Sequence, residues 1–408
     1  MADRIRLLVV GVRWPPEPFL YRLLVGLARA GVEVTVATAK KPVVEGGVRV
    51  QWLPTPAWEG GILFRLFRLA KDGGKGLIRS PSDLWRLNRI WFSGSASVVP
   101  YSMCHRGHVR FWHRFLPFVG RRWDVIYFPW NSGAIEYRPL FDWECPVVVS
   151  CRGSQVNVAP HNPKRYAIRD GLQETFSRAA AVHCVSEAIK REATRYGLDP
   201  AKAWVIRPAV DPDFFKPVER DQPKSRGFYQ IITTGSLLWR KGYEYALLAI
   251  RSLVDKGISV RFEIIGDGPE QQRVLYTIHD LELEQYVHLV GYLPPEEVKS
   301  RLQQADVFLL SSLSEGISNA VLEAMACGLP VVTTDCGGMR EAVTNGIEGF
   351  VVPVRDVEAT VNALMKLWCD AGLRWKMGQA ARKRILKDFT LDQHIQKWKE
   401  LLTTVVVG

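Results

Sequence analysis

The 408 residues carry 54 Lys and Arg against 42 Asp and Glu, a formal net charge of +12, with 47% hydrophobic and 24% charged residues. That composition is ordinary for a folded globular chain, and the length asks for about two domains. No run approaches the roughly 18 uninterrupted apolar residues of a membrane span, and the seven scattered cysteines, without a C-x-x-C pair, argue against structural zinc and for reduced thiols in a cytoplasmic protein.

Residues 5–10, apolar except for Arg6 and closed by Gly11, read as a first β-strand. They are not a signal peptide, because no small-residue cleavage site follows. Further strand-like runs in the first half are 32–37, 48–53, 125–128, 147–150, 181–184 and 204–206. Helix-period segments at 19–30, 165–179 and 187–196 alternate with them, the last with Ser186 as its cap. Between the third and fourth runs lies a basic, aromatic stretch. Residues 61–122 hold 12 Lys and Arg against Asp72 and Asp83, with Trp85, Trp91, Phe92, Phe111, Trp112 and Phe115 interleaved and Trp123 just beyond. Of all the charged residues, 31 basic and 18 acidic fall in 1–215, so the whole positive excess belongs to the first half. Such a stretch could lie on an anionic membrane, bind nucleic acid, or be a solvated face with its aromatics in the core.

The second half repeats the alternation, with strand-like runs at 230–234, 260–265, 287–290, 307–310, 331–333 and 349–352. Near-continuous Val, Ile and Leu in strands that alternate with helices imply parallel sheets covered on both faces. Periodicity breaks at 211–229, where Pro212, Pro217 and Pro223 stand among mixed charges. The expected fold class is α/β: two doubly wound, Rossmann-like parallel-sheet domains facing across a cleft. The expected domains are 1–215, with 61–122 as an insertion, and 216–389, followed by a C-terminal helix over 390–408 that returns toward the first.

The segment 311–338 is the richest in chemistry. It follows a strand, passes through a Ser/Gly loop and starts a helix near Ser318 and Asn319. Free N–H groups and the positive end of a helix dipole converge at such a place and hold an anion. Open α/β sheets seat ligands at this carboxyl edge. Glu315 lies in the loop and Glu323 in the helix, so the two carboxylates reach different parts of one ligand and do not form an acid pair. Carboxylates accept hydrogen bonds from sugar hydroxyls. The plainer alternative is a helix-start acid and a solvated helical glutamate.

This segment resembles the E-x7-E signature of the group 1 retaining glycosyltransferases, family four, which have the two-domain GT-B fold. Glu315-Gly316 matches its first half and Leu322-Glu323-Ala324-Met325-Ala326-Cys327-Gly328-Leu329-Pro330-Val331-Val332 its second. Gly337-Gly338-Met339-Arg340-Glu341, Asn345-Gly346-Ile347-Glu348-Gly349, Gly266-Asp267-Gly268-Pro269-Glu270 and Gly291-Tyr292-Leu293-Pro294 follow the same pattern. So do Val182-His183-Cys184-Val185-Ser186-Glu187 and the stretch Val205-Ile206-Arg207-Pro208-Ala209-Val210-Asp211. Glu17-Pro18-Phe19-Leu20 is similar to a variant found in the subgroup that builds cell-surface polysaccharides. Residues 61–122 match least.

The resemblance implies a donor site for a nucleotide-diphosphate sugar, with no cofactor and no metal. It implies Glu315 on the sugar hydroxyls, Glu323 on the ribose and Lys241 on the diphosphate. Ser236, Gly266, Gly268, Tyr292, Gly316, Ile317, Ser318, Asn319 and Ala320 complete that site. Two departures stand out. Ser236 occupies the place of the family's diphosphate-binding arginine, and Arg240 is expected to supply the missing charge. Arg152-Gly153-Ser154-Gln155 replaces the family's H-G-x-D turn, which puts an arginine, on the expected acceptor side, where a histidine is usual. The implied partners are the nucleotide sugar, a glycan or lipid-linked acceptor and an anionic membrane surface bound through 61–122, but no nucleic acid. The implied location is cytoplasmic, peripheral on the inner membrane face. A non-catalytic nucleotide-sugar-binding subunit, a GT-B sugar epimerase and a phosphorylase remain as alternatives. A dinucleotide-dependent dehydrogenase is disfavoured, because Gly11-Val12-Arg13-Trp14-Pro15-Pro16 puts prolines where a pyrophosphate turn belongs.

Overall fold

The computed structural model describes residues 4–44, 46–55, 71, 73–76, 78–92, 107–218 and 227–408, with the backbone alone at 107–109 and 165–167. Within them the chain forms two parallel sheets. The first has seven strands in the order β3-β2-β1-β4-β5-β6-β7. These are β1 (Arg6–Val9), β2 (Glu33–Thr38), β3 (Gln51–Pro54), β4 (Val125–Phe128), β5 (Val147–Cys151), β6 (Ala181–Cys184) and β7 (Ala203–Val205). The second has six in the order β10-β9-β8-β11-β12-β13. They are β8 (Tyr229–Thr234), β9 (Val260–Ile265), β10 (Val287–Gly291), β11 (Val307–Leu310), β12 (Val331–Thr334) and β13 (Gly349–Val352). Each strand-like run of the sequence overlaps one of these strands, and both sheets are the expected doubly wound kind.

The cause is legible in burial. Every residue of β4, β5, β6, β8, β11 and β12 is buried, so these strands need apolar side chains on both faces. That pattern excludes a sheet with one wet face. Helices supply the cover. In the second sheet, Leu247, Ile250 and Leu253 of the helix Tyr243–Asp255 pack with Ile231, Phe262 and Ile264 on one side. Val321, Leu322 and Met325 of the helix Asn319–Ala326 pack with Ile232, Phe308 and Leu310 on the other. Ser186 caps the helix Glu187–Thr194 as expected, its Oγ accepting from the Ile189 N–H at 3.1 Å.

The chain separates into two compact units, one of residues 1–184, 190–206 and 395–408, the other of 185–189 and 207–394. The helix Leu391–Val407 thus contributes its length from Ile395 onward to the first unit. There Trp398 is fully buried, edge-on to Tyr127 and to His183 at ring-centre distances of 4.8 and 4.7 Å.

The described part of the basic, aromatic stretch is helical at 71–79, apart from 72 and 77, and again at Pro81–Phe92 and Gly107–Phe115. Residues 61–70, 72, 77 and 93–106 lie outside the described residues. The aromatics divide between two fates: Phe111, Phe115 and Trp123 are buried, while Trp85 and Phe92 face solvent. One buried acid organises the region. Asp83 accepts hydrogen bonds from the Gly120 N–H at 2.9 Å and the Arg122 guanidinium at 2.8 Å, pinning the turn before β4 to the helix Pro81–Phe92. Among the described residues no helix is long and apolar enough to cross a membrane.

Candidate functional site

In the second sheet the chain leaves β8 toward β9 on one side, while β11 lies on the other. The β8–β11 seam is therefore the topological switch point, where doubly wound sheets open a crevice at the carboxyl ends of their strands. The two loops that flank it are 235–242, after β8, and 311–318, after β11. They hold most of the residues that the sequence points to.

The loops are tied to each other. The Leu313 N–H donates to the Arg240 carbonyl at 2.7 Å, and the Ser311 hydroxyl donates to the Lys241 carbonyl at 3.0 Å. Across this junction the Lys241 ammonium donates to Glu315 Oε1 at 2.5 Å, with both side chains mostly buried. The same oxygen accepts from the Ser312 hydroxyl at 2.8 Å. An ammonium has three donors, so the bond to Glu315 leaves Lys241 able to reach a ligand as well. Arg240 stands beside it, half-buried, and has no carboxylate partner among the described residues.

Long-range backbone packing fixes where Glu315 sits. Gly337, in the left-handed region at φ 57°, lies so close that a Cβ there would come within 1.9 Å of the Glu315 carbonyl. The Gly338 N–H donates to the Gly316 carbonyl at 2.6 Å. The Gly-Gly turn of the sequence is thus the floor under the Glu315 loop. Gly266 plays the equivalent part for the other loop, since a Cβ there would meet the Gly235 carbonyl at 2.0 Å. Gly268 lies next to Leu237, and the Leu237 N–H donates to the Asp267 carbonyl at 2.9 Å.

Gly316, Ile317 and Ser318 are buried and lead into the helix Asn319–Ala326. The Ser318 N–H points at the Met339 thioether, a weak acceptor, at 3.4 Å. The Asn319 Oδ1 is buried without a hydrogen-bond partner. A buried amide oxygen left unmatched costs free energy, and a ligand hydroxyl is the kind of donor that would remove that cost. Glu323 lies one turn into the helix. Burial, with the Glu323 charge added, pushes the Cys327 thiol up to about 12. Cys336, behind the Glu315 loop, is likewise pushed up to about 12 by burial, and the Glu315 charge adds to it.

Lys241, Arg240, Glu315, Gly316, Ile317, Ser318, Asn319 and Ala320 therefore gather on the two switch-point loops. Ser236 is exposed on the first of them. Tyr292 follows β10, the outermost strand, and is 77% exposed, so it is not in the seam itself. Sequence alone assigns no role to Ser312, or to Met339 within its motif, because their roles depend on contacts that form only in the fold. Among the described residues no group of His, Cys, Asp and Glu could hold a metal ion.

In the first unit Arg152 follows β5. Its guanidinium lies over the Phe19 ring at 4.5 Å and donates to the Tyr127 hydroxyl at 3.0 Å. Tyr127 bonds Ser150 at 2.8 Å, Ser150 bonds His183 Nδ1 at 2.7 Å, and His183 Nε2 bonds the Ile206 carbonyl at 2.8 Å. A carbonyl only accepts, so Nε2 carries the proton. In the neutral imidazole Nδ1 then accepts from Ser150, Ser150 from Tyr127, and Tyr127 from Arg152. The donors run one way, from the guanidinium to the backbone. Sequence alone offered His183 and Arg152 separately; the relay between them needed the register of β4, β5 and β6.

Comparison with known proteins follows the same division. Residues 16–209 match the glycosyl transferase 4-like domain, and residues 215–384 match glycosyl transferases group 1. A putative colanic acid biosynthesis glycosyltransferase, WcaL, from Salmonella typhimurium is 32% identical over 241 residues, covering 57% of this chain and 59% of the relative. The chain spans about half the length of the curated relatives it matches. Among solved structures, a sucrose-phosphate synthase from Thermosynechococcus elongatus superposes with a TM-score of 0.72 at 18% identity, over 99% of this chain and all of the other. The Anabaena protein HepE, in complex with UDP and glucose, superposes with a TM-score of 0.68 at 17% identity, over 98% of this chain and all of the other. At such identities the likeness is one of fold.

Proposed function

The chain belongs to the group 1 glycosyltransferases, and from that premise we propose that it moves a sugar, with retention of anomeric configuration, from a nucleotide-diphosphate sugar to a glycan or lipid-linked glycan in surface-polysaccharide synthesis. The observation that carries this reading is the Lys241–Glu315 pair on the loops of the β8–β11 switch point, beside the start of the helix Asn319–Ala326. It puts a cation, a hydroxyl-accepting carboxylate and free helix N–H groups in one small crevice. A sugar diphosphate presents the complementary set.

In this reading Glu315 holds the sugar hydroxyls, and Glu323 holds the ribose. Lys241 and Arg240 neutralise the departing diphosphate, each by about 1.5–3 kcal/mol of charge-assisted hydrogen bonding. The N–H groups of Ser318, Asn319 and Ala320 add a dipole contribution of ~0.3–2 kcal/mol. These sums fall short of the roughly 8–23 kcal/mol by which enzymes lower a barrier, so positioning of donor against acceptor must supply the rest. The charge stabilisation comes from the chain's own cations, and no metal is assigned a part. The leaving phosphate oxygen accepts the acceptor's proton on the face from which it departs, so no side chain is assigned as a strong base. Arg152 is assigned to the acceptor. The colanic acid relative supports a polysaccharide acceptor, and the basic, aromatic residues of 61–122 support attachment to the inner face of a membrane.

The test is transfer itself, with the product's anomeric configuration read by proton NMR. Glu315→Ala is expected to lower turnover by roughly 10²–10³, the scale of one oriented transition-state contact. Unchanged turnover removes Glu315 from the mechanism, and an inverted product contradicts the retaining course.

A further inference from the structure

At the outer edge of the first sheet, away from the β1–β4 switch point, a cavity of about 350 Å³ opens at the carboxyl ends of β2 and β3. That volume is at the small end of ligand pockets. Its apolar walls are Leu53 and Pro54 on the strand side and Leu116 and Val119 opposite. Four cations line it, Lys71, Lys75, Arg79 and Arg121, and no Asp or Glu does so among the described residues.

Arg121 is the informative one. It stands next to Arg122 in the turn that Asp83 pins, yet the two arginines are treated in opposite ways. Arg122 is largely exposed and has the buried Asp83 carboxylate as its partner. Arg121 is half-buried, has no carboxylate partner among the described residues, and its Nε is buried without a hydrogen bond among them. Desolvating a guanidinium without an anion is costly. Burial, and after it the like charge of Arg79, hold Arg121 below the usual arginine range. Asp83 holds the residues on both sides of Arg121, so the turn keeps its geometry without any contribution from that side chain. Ile78, next to Arg79 of the lining, is 87% exposed, and Trp85 and Phe92 on the following helix, Pro81–Phe92, are 66% and 71% exposed.

We propose that this cavity binds a phosphomonoester or diphosphate head group through Lys71, Lys75, Arg79 and Arg121, and that the group belongs to a lipid whose chains meet Ile78, Trp85 and Phe92. A head with two or more negative charges matches four converging cations and gives Arg121 the anion it lacks. The adjacent apolar side chains give the membrane-facing reading of 61–122 a defined anchor, on which this inference rests. The site is separate from the crevice at β8–β11, so its failure would leave the transfer reaction standing.

The experiment is co-sedimentation of the full chain with phosphatidylcholine vesicles, with and without phosphatidic acid. A parallel calorimetric titration uses inorganic pyrophosphate in a Lys241→Ala background, which weakens the proposed donor crevice, and compares Arg121 with Arg121→Met in that background. Binding to the phosphatidic acid vesicles is expected to weaken roughly tenfold in Arg121→Met, the scale of one charge-assisted hydrogen bond. Arg89→Gln, on the helix Pro81–Phe92 and outside the cavity lining, is expected to change it by less than about twofold. Arg79→Gln, at an exposed lining position, repeats the test if Arg121→Met unfolds. Pyrophosphate binding that depends on Arg121, without vesicle binding, supports the phosphate site and overturns its lipid source. Equal losses in Arg121→Met and Arg89→Gln, or no binding of either probe, overturn the site. A chain that transfers sugar while showing no Arg121-dependent binding refutes the cavity alone.

Discussion

Lys241 and Glu315 meet as a mostly buried pair, and a buried pair contributes little net stability unless its other hydrogen-bonding capacity is used. Here Ser312 uses part of it. Removing one partner of such a pair leaves a buried charge without compensation. Lys241→Met is therefore expected to lower both stability, by about 3–5 kcal/mol, and donor affinity. Lys241→Arg keeps the charge but not the compact ammonium geometry, and is expected to retain the stability and lose turnover. Equal turnover in Lys241→Arg would show that charge alone matters at this position. Gly337→Ala tests the floor under Glu315. Its Cβ cannot coexist with the Glu315 carbonyl and its φ is unfavourable for alanine, so a loss of about 1–3 kcal/mol in stability is expected. Turnover should fall further than nucleotide affinity, because the loop that moves carries Glu315, the carboxylate proposed to hold the sugar. The sequence showed that Glu315, Lys241 and the Gly-Gly turn belong to one pattern. It did not show that residue 337 lies against residue 315, which follows from the β11–β12 pairing, or that Ser312 serves Glu315, which follows from the conformation of the loop.

The strands were legible because each is short, apolar and bounded by turn residues, and burial on both faces demands that composition. Their order was not. The β8–β11 adjacency that makes the proposed donor crevice is a property of crossover connections, which leave no local mark in the chain. The edge strand shows the limit of pattern reading: the apolar run begins at Val48, while β3 runs over Gln51–Pro54. Its start is fixed by pairing with β2, where Thr35 faces Gln51, and not by its own apolar residues. The helices at 71–92 are not among the expected elements, because the mixed basic and aromatic residues there are read as a membrane-facing stretch and not by their periodicity. Asp83 is what the fold adds there. Burial would raise its pKa, but the hydrogen bonds from Arg122 and Gly120 and the Arg122 charge outweigh burial and hold it below the ordinary aspartate value. A carboxylate with a depressed folded pKa stabilises the fold at every pH above its ordinary pKa, and that stability is lost as pH falls through the folded value. In chemical denaturation, wild type is thus expected to lose stability below about pH 4 more steeply than Asp83→Asn. The variant is expected to be weaker by ~1–3 kcal/mol at pH 7, the scale of a disrupted buried hydrogen bond. Parallel pH profiles would remove Asp83 as the clamp.

At the scale of the molecule, the positive excess that the sequence places in residues 1–215 falls in the first unit, and the two switch-point loops lie in the second. The last helix joins the core of the first unit through Trp398, and Trp398→Ala is expected to cost about 3–5 kcal/mol, read as a lower unfolding midpoint. The central claim is that the second unit binds the nucleotide part of a sugar donor. Its most direct measurement is a thermal-shift titration with UDP, GDP and ADP, comparing wild type with Glu323→Gln. A ligand at 100 times its Kd adds about 2.7 kcal/mol, enough to move the midpoint by several degrees. The expected result is a shift with one nucleotide that is lost in the variant. No shift with any nucleotide, or an equal shift in both proteins, would contradict the donor site as assigned.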